Sequence, residues 1–151
     1  MDFYRLPKDI VFLISQKALI LKGKKLLILR NTADRLGKMV QWELPGGLLE
    51  VKESLLHGLK REVLEETNLR ISQGSLFHAW DYVENPFQLG DGRIVHARIL
   101  ELAFYCYHPK GEIRLSEEHD AFLWATMTDL QHHSFAPNSQ LAVQKYLRCA
   151  S

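Results

Sequence analysis

Glu62, Glu65 and Glu66 stand at i, i+3 and i+4 in a run of helix formers, so their carboxylates leave one side of a single helical turn. Like charges at these spacings oppose one another by about 0.2–0.5 kcal/mol per pair when exposed. They also fall in the last turn of the segment, where the helix dipole disfavours negative charge. A hard divalent cation removes both penalties, because Mg²⁺ and Mn²⁺ prefer oxygen ligands. A solvated acidic face is the competing account of such a triplet, and its surroundings decide between the two.

Those surroundings are specific. Gly47 is followed after five residues by Glu53, then after seven by Arg61-Glu62, then by Val63, Glu65-Glu66 and Leu69. This spacing resembles the Nudix box, and Trp42-Glu43-Leu44-Pro45-Gly46 is similar to the family's approach to it. Asn68 departs from the pattern, standing where the family usually has glycine. Asparagine tolerates the positive φ of a helix cap, so the departure bears on capping and not on the metal ligands. Lys52 replaces a frequent glycine outside the defining pattern.

The resemblance implies an α/β Nudix fold, a mixed central β-sheet sandwiched between helices. It implies metal ligation by Glu62, Glu65 and Glu66 with the Gly46 carbonyl, help from Glu53, and orientation of the glutamates by Arg61. An arginine fork suits that last task, since it can hold a carboxylate in a fixed pose. Mg²⁺ is the implied cofactor, with Mn²⁺ as its alternative. The implied reaction is hydrolysis of a phosphoanhydride bond in a nucleoside diphosphate linked to a further group, ADP-ribose-like or a nucleotide sugar. A nucleoside triphosphate pyrophosphatase shares the box and differs only in the pocket. A non-catalytic nucleotide-sensing module tends to lose box glutamates, and here they are intact.

A water attacking phosphorus needs a proton acceptor. Leu115-Ser116-Glu117-Glu118-His119-Asp120, ahead of Trp124, resembles the later family loop that sometimes supplies it. Glu118 is the favoured base or extra metal ligand and Glu117 the second choice, against a plain solvated turn. Arg30 ends a strand where the family often has a substrate-facing arginine. Trp80, Tyr82 and Phe87 offer rings that could stack on a base, although strands bury such rings routinely. Pro86 follows the box at a distance resembling that in ADP-ribose pyrophosphatases, a lone proline before a loop being the simpler account. His132-His133 lies in a polar connection without a third spaced ligand and is assigned no metal.

The elements that position these residues read as follows. Apolar runs over 9–21 and 26–29, broken at Lys22-Gly23-Lys24, predict two strands joined by a tight turn. Residues 31–41 predict a loop, and 42–47 a short strand ending in Pro45-Gly46-Gly47. A helix is expected over 53–66, docked through Leu56, Leu59 and Val63. Stretches 69–83 and 94–108 predict strands, the second with Leu100, Leu102, Phe104 and Cys106 on one face. Phe122–Ala125 predicts a further short strand, and Pro137 opens a terminal helix with Leu141, Lys145 and Arg148 in helical spacing.

With 151 residues, 46% of them apolar and 25% charged, the chain is expected to form a single domain over 1–151. A net charge of +1 argues against stable nucleic-acid binding by bulk charge and leaves room for a small nucleotide substrate. Cys106 and Cys149 form no CxxC pattern, so neither a zinc site nor a disulfide framework is expected. No apolar run reaches membrane-spanning length and the N-terminus shows no signal-peptide pattern. These features predict a cytoplasmic protein with no membrane partner, its oligomeric state open and a homodimer among the options.

Overall fold

The computed structural model describes residues 10–32, 40–72 and 74–150. Most of the loop expected over 31–41, and the N-terminal segment, lie outside them. The chain runs β1 (Ile10–Lys22), β2 (Lys25–Asn31), β3 (Trp42–Glu43), α1 (Leu55–Thr67), β4 (Ser75–Gln88), β5 (Ile94–Tyr107), β6 (His119–Ala125), α2 (Met127–His132) and α3 (Pro137–Ala150). The strands form one mixed, curled sheet in the order β3-β2-β1-β5-β4, with β6 on β2. Among the described strands β1 and β5 pair in parallel, in register from Ile10↔His96 to Leu21↔Tyr107.

Alternation along β1 and β2 divides the core between the two faces of the sheet. Leu19, Leu26 and Ile28 pack with Ala142, Val143 and Tyr146 of α3. Ala18, Ile20, Leu27 and Leu29 pack with Leu59 and Val63 of α1. Each fully buried leucine or isoleucine contributes about 1.5–3 kcal/mol, so the two layers fix where α3 and α1 sit. Among the described residues no helix is long and apolar enough to cross a membrane.

Several expectations are corrected. The strand expected over 42–47 is only Trp42–Glu43, because Gly46 and Gly47 turn away to meet β1. Leu56 is 39% exposed; Leu59 and Val63 dock α1 as expected, with Gly58, Glu66 and Thr67 buried beside them. In β5 Leu100, Leu102, Phe104 and Cys106 share one face as expected, with Leu100 exposed on it, while Val95, Ala97, Ile99, Glu101 and Ala103 on the other face are all buried. Pro86 does not precede a loop but lies within β4, at a register shift between Glu84 and Phe87. The connection assigned to His132-His133 contains α2, capped by a reciprocal Thr126–Asp129 pair. His133 caps the other end of that helix and packs edge-on against Trp42. The terminal helix opens at Pro137 as expected, and α3 buries Ser139, Ala142, Val143 and Tyr146 while Leu141 is exposed.

The cap of α1 follows the expectation. Asn68 has φ 61°, and its amide N–H donates to the Leu64 carbonyl at 2.8 Å. Its Nδ2 donates to the Glu112 carbonyl at 3.1 Å. Asn68→Gly should therefore shift stability by no more than about 1 kcal/mol. Asn68→Val should cost more, because a β-branched residue is poorly accommodated at positive φ. Equal melting temperatures for the two variants would rule this account out.

Candidate active site

The site begins with how α1 presents its carboxylates. Ser54 caps the helix by accepting the His57 N–H, which fixes the phase of every later residue. One face then brings Arg61 onto Glu53 through a two-pronged contact at 3.0 and 2.7 Å. The same guanidinium donates to Glu62 at 2.8 Å, to Glu65 at 3.3 Å and to the Leu48 carbonyl at 3.2 Å. The Arg61 contact, with the Glu50 N–H, holds the Glu53 pKa down to about 2. Glu53 is therefore a fixed anion that orients Arg61, and Arg61 in turn orients Glu62 and Glu65. Burial outweighs that contact at Glu62 and raises its pKa.

The Pro-Gly-Gly turn brings the loop against this face. Gly46 has φ 139°, and a Cβ there would overlap the Gln16 carbonyl of β1. A Cβ on Gly47 would come within 2.7 Å of the Glu62 carboxyl carbon. Gly46 therefore needs glycine, because backbone blocks a Cβ there, whereas at Gly47 a Cβ would displace the Glu62 carboxyl. The Gly46 N–H donates to Glu66 Oε2 at 2.8 Å, while the Gly46 carbonyl accepts from Lys17 Nζ at 3.2 Å. Glu66 is only 7% exposed, and burial lifts its pKa to about 7 against the opposing charge of Lys17. Near neutrality this carboxyl is poised between its neutral and anionic forms.

Behind the turn lies a buried polar layer. Lys17 Nζ is 3.8 Å from Glu43, and the Glu43 carboxylate meets His119 Nε2 at 2.9 Å and Asn138 Nδ2 at 3.1 Å. Burial opposes ionisation of Glu43, but His119, Lys17 and Asn138 together hold its pKa down to about 2. Burial likewise opposes the charge on Lys17, and Glu43, Glu66 and Glu101 outweigh it to raise the lysine. Glu101 is buried beside this layer and accepts the Tyr82 hydroxyl at 3.1 Å. His119 also brings in Glu118: a nitrogen of its ring, an oxygen of Glu66 and an oxygen of Glu118 all lie within 4.8 Å of one another.

The sequence-derived residues divide accordingly. Gly46, Glu53, Arg61, Glu62, Glu65 and Glu66 lie at the α1 face and its turn, and Glu118 reaches Glu66 from the loop before β6. Arg30 is paired with Asp120 at 2.7 Å on the surface. Tyr82 is spent on Glu101, and Trp80 packs against the α3-side core with its ring stacked on His78. Lys17, Glu43, Glu101, His119 and Asn138 were not singled out in the sequence. The polar Ser15-Gln16-Lys17 inside an apolar strand was a signal for Lys17, and Glu43 and His119 fell inside the family-like stretches quoted above.

A curled mixed sheet, with a glutamate-bearing helix clamped by arginine against a Pro-Gly-Gly turn, defines a hydrolase of the Nudix type. The NUDIX domain model matches residues 12–146, and the chain belongs to the Nudix hydrolase family, a family of pyrophosphohydrolases. It is 27% identical over 110 residues to the nucleoside triphosphatase NudI of Escherichia coli (strain 55989 / EAEC), covering 72% of this chain and 74% of that relative. Among solved structures, the E. coli ORF135 protein superposes with a TM-score of 0.72 at 21% identity, covering 93% of this chain and 91% of that one. The MutT protein of Methanosarcina mazei Go1 gives 0.70 at 25% identity, covering 92% and 94%. A UDP-X diphosphatase gives 0.67 at 20% identity, covering 99% of this chain and 66% of that one.

Proposed function

We propose that the chain hydrolyses a phosphoanhydride bond in a nucleoside diphosphate that carries a further group. The reading that the NudI relative supports makes that group a third phosphate. The reading expected from the sequence makes it a sugar, as in ADP-ribose or a nucleotide sugar. One observation carries the hydrolytic assignment. Glu66 is a nearly buried carboxyl held on the Gly46 amide, with its pKa lifted to about 7 and Glu118 and His119 facing it. Burying a carboxyl such as Glu66 in its charged form is costly unless a cation pairs with it.

The donors present fit a hard divalent cation, Mg²⁺ or Mn²⁺. Glu62, Glu65 and Glu66 would hold it, with the Gly46 carbonyl after release from Lys17. When bound, the cation neutralises diphosphate charge and stabilises the pentacovalent phosphorus. The chain's own residues do the rest. Arg61, itself held by Glu53, orients Glu62 and Glu65, and the Gly46 N–H orients Glu66, which lowers the reorganisation the reaction needs. A water attacks phosphorus in line; a P–O bond forms on its side and the bridging P–O bond breaks on the other. The water's proton passes to a carboxylate, for which Glu118 is the proposed acceptor because it stands on an exposed loop facing the helix. Glu118 is fixed there by its backbone, whose carbonyl accepts the Thr32 N–H at 2.9 Å.

A panel of nucleoside triphosphates, ADP-ribose and nucleotide sugars, each assayed at one concentration with Mg²⁺ and with chelator, tests the proposal. Hydrolysis of at least one class with Mg²⁺, abolished by chelator, is expected. The phosphate, pyrophosphate or sugar phosphate released separates the two substrate readings. No turnover of any member with Mg²⁺ or Mn²⁺ would refute the proposal.

A further inference from the structure

Glu43 dictates how His119 presents its ring. A carboxylate accepts and does not donate, so the 2.9 Å contact with Glu43 places a hydrogen on His119 Nε2. The other ring nitrogen, Nδ1, is buried and has no hydrogen-bond partner among the described residues. His119 as a whole is 5% exposed, so water does not readily satisfy that atom. One of the two His119 ring nitrogens, a Glu66 oxygen and a Glu118 oxygen lie within 4.8 Å of one another. Donors about 2.0–2.2 Å from one cation stand roughly 3–4 Å apart, so the group is close to the size of a single coordination shell. With Nε2 taken, Nδ1 is the nitrogen left to offer. A carboxylate on the far nitrogen is also how proteins orient a metal-binding imidazole.

We propose that His119 supplies a nitrogen ligand to the divalent cation, alongside Glu66 and Glu118. The cation is thereby held between α1 and the loop entering β6. Attachment through one oxygen leaves the second Glu118 oxygen on the solvent side. The inference rests on the reading that this chain binds a divalent cation for hydrolysis, and it replaces an all-oxygen donor set by a mixed one. Imidazole nitrogen suits transition metals better than Mg²⁺, so the site should favour Mn²⁺ or Co²⁺ beyond what carboxylates alone would give.

The test is electron spin echo envelope modulation on the full chain loaded with Mn²⁺, which detects a nitrogen bound directly to the metal. The wild-type protein should show nitrogen coupling, and His119→Gln should lose it. Mn²⁺ affinity, read by calorimetry, should fall by about 10–100-fold in that variant. A wild-type spectrum without directly bound nitrogen overturns the proposal whether or not the variant folds. Nitrogen coupling that survives in a folded His119→Gln overturns it as well, because the donor is then another residue. Hydrolysis assayed with Mg²⁺ on the same preparation separates the two readings. Turnover without nitrogen coupling removes His119 and leaves the hydrolase reading standing; absence of both Mn²⁺ binding and turnover removes both.

Discussion

Glu66→Gln should lower kcat by at least ~10²-fold without unfolding the protein, and should make the metal-free protein more stable above neutral pH. Glutamine keeps the size of the side chain and an oxygen for the Gly46 N–H, now met at 2.8 Å. It removes the negative charge by which this position would hold a cation. The stability effect follows from burial, which lifts the Glu66 pKa from 4.5 to about 7. A carboxyl raised on folding contributes its full stability below the unfolded pKa, and that contribution is lost as pH rises through the folded value. Between pH 4.5 and about 7 the wild type therefore loses stability that the glutamine variant keeps, a difference on the order of 3 kcal/mol at the upper end. Melting curves in chelator should converge near pH 4.5 and separate above pH 7, with the variant higher. Mg²⁺ should narrow that gap by binding the folded wild type preferentially. Turnover near the wild-type level at saturating Mg²⁺ would remove Glu66 from the ligand set.

What the sequence could and could not disclose follows from the range of the interactions. Ser54, Glu53, Arg61, Glu62, Glu65, Glu66 and Asn68 belong to one helix and its entry, so spacing along the chain carries their geometry. The hairpin at Gly23 is local in the same sense, with Lys22↔Lys25 closing it. The buried polar layer is not local. Lys17, Glu43, Glu101, His119 and Asn138 come from β1, β3, β5, β6 and α3, and their contacts form only once the sheet has closed. No periodicity links such residues. How deeply each face is buried is not local either. β5 is covered on both sides, by α1-side residues through Phe104 and Cys106 and by α3-side residues through Ala103 and Tyr105. Hydrophobicity along β5 therefore does not identify the face that meets the site. In α3, the Leu44 N–H donates to the buried Ser139 hydroxyl at 2.9 Å. That contact helps set the rotation of the helix and leaves Leu141 outward.

Glu118→Gln should cut kcat by roughly 10²–10⁴-fold, with a smaller change in KM. Glu118 faces Glu66 from a separate loop, while Glu53 is committed to Arg61 by the two-pronged contact at 3.0 and 2.7 Å. A carboxylate already paired with arginine is a poor proton acceptor, since its anion is stabilised and its pKa depressed. Glu62 is also engaged by that guanidinium, at 2.8 Å, but burial raises its pKa, so it stands as the second candidate acceptor. Glu118 is exposed, so its free oxygen can meet a water approaching the diphosphate from outside. Glutamine at this position keeps an oxygen that can still face a cation and loses the ability to take a proton. The deficit should therefore persist as Mg²⁺ or Mn²⁺ is raised to saturation. Glu117→Gln, one residue earlier and also exposed, should do much less. Recovery of wild-type kcat at high metal would make Glu118 a ligand without a proton-transfer role. Wild-type kcat in both variants at every metal concentration would reduce the loop to a solvated turn and return Glu53 or Glu62 as the acceptor to be tested.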